Sequence, residues 1–137
     1  MATNLQHVTR ALRLIGVLQE GEQPSADAGA DALVALQAML ASWEGEGVPL
    51  SGLVGQTLTL GATLPLPATH DDAIQTNLAL RLAPEYGASA VISPLLVERA
   101  DTSFRTLQGQ YADDIPMSVE PALIRGGRVW WDWSFNG

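Results

Sequence analysis

Cysteine is absent from these 137 residues, and so is lysine: the seven basic residues are all arginine. The first absence excludes disulfides, thiolate metal sites and cysteine nucleophiles. The second excludes the phosphate-binding loop that needs a lysine after its glycines. Charge is scarce too. Only 16% of residues are charged, and fifteen acidic residues against seven arginines leave a net charge of −8. Binding nucleic acid in general requires clustered cations, so this balance argues against it. No apolar run reaches the roughly 18 residues of a membrane helix. The opening MATNLQHVTRALRLIG lacks the unbroken apolar stretch of a signal peptide. A protein made in the cytosol, without membrane association, is the expectation.

What is present suits one domain. The length fits a single core, and 47% hydrophobic residues exclude a disordered chain. With so few charges, much of the surface must be neutral, as on a chain that meets other protein.

Apolar periodicity predicts four helices. The first runs from Thr3, a candidate N-cap, to Leu18, with Leu5, Val8, Leu12 and Ile15 as its stripe and Gly16 as a weak point inside it. The second follows Pro24, capped by Ser25, with Leu33, Leu36, Leu40 and Trp43 as its stripe and a stop at Gly45-Glu46-Gly47. A short connection makes the pair an antiparallel hairpin. The third opens at Asp71-Asp72, either of which can cap, and stops or bends at Pro84. The fourth has Ser93 as N-cap and Pro94 at its first position, with Val97, Ala100, Phe104, Leu107 and Tyr111 as its stripe. Leu36, Leu40, Trp43 and Leu78 are assigned to the core.

Between the second and third helices, residues 48–70 read as an extended loop. Thr57-Leu58-Thr59-Leu60 alternates as a half-buried strand would. Loops this long are usually functional or ordered by partners. After residue 114 the character changes again. Gly126-Gly127, between Ile124-Arg125 and Arg128-Val129, is a hairpin signal. The fold class is therefore mainly α: a bundle-like domain of about four helices over 1–114, a short β-hairpin or extended loop at 48–70, and an extended C-terminal arm over 115–137.

Chemistry-bearing residues are few. His7 and His70 are expected to be exposed or capping, since neither belongs to a recognisable triad. Asp71-Asp72 and Asp113-Asp114 are expected to cap helices rather than to bind a cation. Glu20, Glu44 and Glu46 flank turns, and two of them acting as an acid–base pair would make the chain a small wall-degrading enzyme of a virion. No catalytic residue, metal or cofactor is otherwise expected. Arg10 and Arg13, three apart on the first helix, are candidates for a channel or a partner. Trp130, Trp131, Trp133 and Phe135, with Arg125 and Arg128, are candidates for an interface, because Trp and Arg dominate binding hot spots. Trp130 and Trp131 would point to opposite sides of a strand, so one core can hardly hold both.

The N-terminal half resembles the tail accessory factors of short-tailed phages, also called head-completion or head-to-tail adaptor proteins. Gly16, Gly21, Pro24, Ser25, Ala32, Leu33, Leu36, Met39, Leu40, Trp43 and Gly47 fit that family's pattern of two helices and their turns. Ile15 departs from it, where the family often has leucine. A weaker similarity continues through Pro67, Asp72, Ala73, Ile74, Asn77, Leu78, Ala79, Leu82, Ala83, Tyr86 and Gly87. The residues beyond Tyr111 do not align. The resemblance implies a structural virion protein in the neck, forming a homo-oligomeric ring, usually a dodecamer, beneath the portal protein. Such rings extend the DNA channel, retain packaged double-stranded DNA without sequence-specific binding, and give a platform to the next tail or neck protein. The loop, through Leu58 and Leu60, would reach a neighbouring subunit. The terminal aromatics would anchor on the portal or a neighbour. A monomeric helical protein-binding domain, its tail folded on its own core, is the remaining alternative.

Overall fold

The computed structural model describes residues 2–50 and 58–112. Among these residues are four α-helices: α1 (Asn4–Leu14), α2 (Ala26–Glu44), α3 (Asp71–Leu82) and α4 (Pro94–Tyr111). The protein is mainly helical, as the periodicity implied. The Asp113-Asp114 pair, the hairpin at Gly126-Gly127 and the arm over 115–137 lie outside the described residues.

α3 is the central element. It packs most extensively on α1 and α4 and also touches α2. Ile74, Leu78, Ala79 and Leu82 are fully buried along it. The hairpin expected of the first two helices is therefore a minor contact, and α1 takes its main support from a helix nearly sixty residues away. Around α3 gather Val8 and Leu12 from α1, and Leu36, Met39, Leu40 and Trp43 from α2. Burying each large side chain contributes about 1.5–3 kcal/mol. The core assignments of Leu36, Leu40, Trp43 and Leu78 hold. The Trp43 ring tilts against Phe104 of α4 at a centroid distance of 4.9 Å. On α4 the buried register is Leu96, Ala100 and Leu107; Val97, expected in that stripe, is 47% exposed.

Polar bonds join α3 to α4 where small residues let the backbones approach. Asn77 Nδ2 donates to the carbonyls of Ala73, within its own helix, and of Ala100, across the interface. The Thr76 hydroxyl, fully buried, donates to Asp72 O and meets Ser103 Oγ at 3.3 Å.

Three left-handed glycines end the helical segments in the same way. Gly16 has φ +75°, Gly47 +88° and Gly87 +66°. In each case the next residue's N–H returns to a carbonyl five positions back: Val17 to Leu12, Val48 to Trp43, Ala88 to Ala83. This satisfies carbonyls that a helix end leaves orphaned. Gly16 is thus the terminator of α1, not a flaw inside a longer helix. The helix ends at Leu82, just before Pro84, and Pro84 and Tyr86-Gly87 belong to the closing turn.

The start of α1 is satisfied by the loop. Thr3 and Gln6 form a reciprocal capping box. The next two free amides go to loop carbonyls, Asn4 N to Ala62 O and Leu5 N to Leu60 O, both at 2.9 Å. Asn4 Nδ2 adds a bond to Thr59 O at 2.7 Å. The alternation at residues 57–60 predicted a strand. Among the described residues the loop forms no ladder, only one isolated antiparallel bridge between Thr3 and Thr63. Its carbonyls serve helix α1 instead of a second strand.

Candidate functional site

The two histidines are neither exposed nor capping. His7 is 1% exposed and His70 is 3% exposed. His7 lies on the α1 face turned toward α3, where Gln75 Nε2 is 3.4 Å from its Nδ1. With the amide as donor, the ring proton sits on Nε2, which is buried and has no hydrogen-bond partner among the described residues. Asp71 Oδ1 is the nearest charge, at 3.7 Å. His70 occupies the N-cap position of α3, but its side chain caps nothing. Its Nε2 meets the Tyr111 hydroxyl at 2.7 Å and its Nδ1 meets Thr69 Oγ1 at 3.1 Å. Burial lowers the pKa of both rings, and Asp71 partly opposes that shift in each. Both are neutral near pH 7. Together they form a polar layer where α1, α3 and the end of α4 meet. The sequence signal was weak but present for His7, which sits one position from Val8 of the apolar stripe.

Neither Asp71 nor Asp72 caps. Both fall in the first turn of α3, where they complement the helix dipole. Asp71 faces His7, and Asp72 forms an ion pair with Arg99 of α4. Of the carboxylates weighed as an acid–base pair, Glu20 lies in the turn before α2 while Glu44 and Glu46 lie at its far end. A helix of 19 residues spans about 28 Å. Glu20 is therefore too far from the other two for glycosidase chemistry, which needs separations of about 5–9.5 Å.

Arg10 and Arg13 do converge. They line a groove of about 660 Å³ along α1, with Gln6 and Thr9 of that helix, Gln23 of the turn before α2 and Gln75 of α3. Among the described residues no carboxylate lines it. Arg13 Nη2 donates to the carbonyl of Glu22 at 3.2 Å, while its Nε is buried without a partner among the described residues. Arg10 is exposed. The other described arginines are engaged: Arg99 with Asp72, Arg105 with Asp101, and Arg81 with the Ser42 hydroxyl. A second groove, of about 600 Å³, runs between Asp72 and Leu95, Arg99 and Thr106 of α4. Its arginine is already neutralised by Asp72.

Leu58 and Leu60 are turned inward. Leu58 is 8% exposed within the core, and Leu60 is half-buried over Gly29 of α2. A Cβ at position 29 would stand 3.0 Å from Leu60 Cδ1. Gly29 thus makes room for the loop, a role the sequence alone did not suggest. Leu58 packs within the core of its own chain. Trp130, Trp131, Trp133, Phe135, Arg125 and Arg128 lie outside the described residues.

Sequence reasoning missed the exposed apolar residues Val34, Val91 and Leu95, which are 65%, 71% and 73% exposed. Val34 was detectable, because it falls between the stripe positions of α2. Among the described residues no three His, Asp or Glu side chains gather as a metal site. No described helix is long and apolar enough to cross a membrane. No protein-family model matches the chain, and no curated protein matches it either.

Proposed function

We propose that this chain is a structural virion protein: a phage head-to-tail connector that assembles as a ring under the portal, extends the DNA channel and gives the tail a platform. One observation carries the reading. The residues that bear the resemblance occupy the positions that determine the fold. Among the described residues Gly16, Gly21, Gly47 and Gly87 are the glycines with positive φ. Ser25 caps α2, Asn77 bridges α3 to α4, and Ala32, Leu36, Met39, Leu40 and Trp43 form the buried face of α2. The matched residues are thus the turns, the cap and the buried face on which this arrangement of helices depends. The charge agrees. A subunit of net −8, repeated around a conduit, presents a negative field that lets DNA slide without gripping it.

The test is electron microscopy of the full chain with and without its cognate portal. Rings seated on the portal are expected, and no association refutes the reading. Deleting residues 122–137 separates the connector from a monomeric binding domain. A truncated chain that stays folded but no longer joins the portal supports the connector. A truncated chain that unfolds supports a tail packed on its own core.

A further inference from the structure

We infer that the Arg10–Arg13 groove is one half of a head-to-tail contact between two copies of this chain, whose other half is the Asp27–Asp31 face of α2. This deepens the ring reading and rests on it for the biological setting, but the contact stands on its own geometry.

Arg10 and Arg13 form a concave surface with no carboxylate among its described lining residues, on a chain with more than twice as many acidic as basic residues. Arg10 is exposed and has no carboxylate partner among the described residues, and Arg13 is held beside it by the bond from its Nη2 to the Glu22 carbonyl. A guanidinium presents its N–H donors as a planar fork, and a carboxylate is the acceptor that fits it. The groove therefore calls for carboxylates, and another copy has them to offer.

The α2 face turned away from the core matches in spacing and in apolar content. Asp27, Asp31 and Val34 share it at i, i+4 and i+7, and all three are exposed. Neither Asp27 nor Asp31 has an ion-pair partner among the described residues. Arg10 and Arg13 stand one turn apart, as do Asp27 and Asp31. Both pairs place their Cβ atoms about 5–6 Å apart. Beside the aspartates lies Val34, flanked by Ala30 and Ala38, also exposed. This uncharged strip can close over Leu5 and Ala2 at the edge of the groove. The two surfaces differ, so the contact is heterologous. Repeated, a heterologous contact generates a ring or a filament, never a closed dimer of identical patches.

Charge reversal tests the pairing. One variant carries Arg10→Glu and Arg13→Glu; the other carries Asp27→Arg and Asp31→Arg. Sedimentation velocity at low salt should show the wild type associating and each variant alone weakened by at least about tenfold. Mixing the two variants should restore association, because each reversed groove then meets a reversed face. High salt should weaken the wild type and the mixture alike. Circular dichroism confirms that each variant folds. Should the change at Asp27 disturb the first turn of α2, Asp31→Arg with Arg10→Glu forms the same pair. A wild type that stays monomeric at low salt overturns the inference, as does a mixture that is no better than its parts. Portal binding, imaged separately, decides the connector reading: restored association without portal binding keeps this contact and rejects that function.

Discussion

Removing one oxygen should loosen the end of α4. In Tyr111→Phe the ring remains, but His70 Nε2 loses its 2.7 Å partner. His70 is 3% exposed, so water cannot readily replace that bond. A hydrogen bond contributes a net of about 0.5–1.5 kcal/mol, and stranding a buried polar atom costs about 1–3 kcal/mol. Tyr111 is only half-buried, which places the expected loss near the overlap, at about 1.5 kcal/mol. With a urea slope of roughly 1.5 kcal/mol per molar, the unfolding midpoint should fall by about 1 M at unchanged slope. Thr69→Val removes the bond on the other ring nitrogen. The double variant should lose less than the sum of the two, since both act through one ring. A midpoint for Tyr111→Phe within about 0.2 M of wild type would refute the argument, because His70 would then be satisfied by something other than Tyr111.

Three further outcomes follow from the same structure. Gly47→Ala forces a side chain into φ +88° with no neighbour in the way, so backbone strain alone should cost about 1–2 kcal/mol; Gly109→Ala, in open space within α4, should instead stabilise by about 0.5–1 kcal/mol. Leu36→Ala opens a cavity at a fully buried site and should cost about 2–5 kcal/mol in urea unfolding. Acid should destabilise the fold through the histidines. Their folded pKa values lie below the ordinary one because burial disfavours the cation, so the unfolded chain takes up protons first. Stability is then fully present above about pH 6.5 and is lost as pH falls from there through the folded values. Melting temperatures read between about pH 7.5 and about pH 5 should show that decline, and a flat profile contradicts it.

Helices were legible because their signals are local. Ser25, Ser93 and Pro94 mark starts that the structure keeps. Gly16 was misread because spacing cannot distinguish a glycine within a helix from one that ends it; the positive φ decides. His7 and His70 were misplaced because their burial depends on partners 68 and 41 residues away, Gln75 and Tyr111. The strand expected at residues 57–60 is not formed over its described part, residues 58–60, for a similar reason. Alternation fits any half-buried extended segment, and here the carbonyls were claimed by the amides of α1. The Arg10–Arg13 groove was half visible: three-residue spacing put both on one face, but Gln23 and Gln75 join it only in three dimensions.

The bonds from Asn4 and Leu5 to the loop also bear on the order of folding. Their acceptors, Ala62 and Leu60, lie some fifty-five or more residues along the chain. Contacts of such separation close late, after the loop-closure entropy has been overcome. Helix α1 can wind early, but its docking on α3, which lies at least as far along the chain, carries the same cost, and its first turn stays unclasped until Leu60 settles over Gly29. The amide protons of Asn4 and Leu5 are then local reporters. Their exchange with solvent follows the opening of the loop, while that of Leu12 or Leu78, deep in the core, follows unfolding of the whole domain.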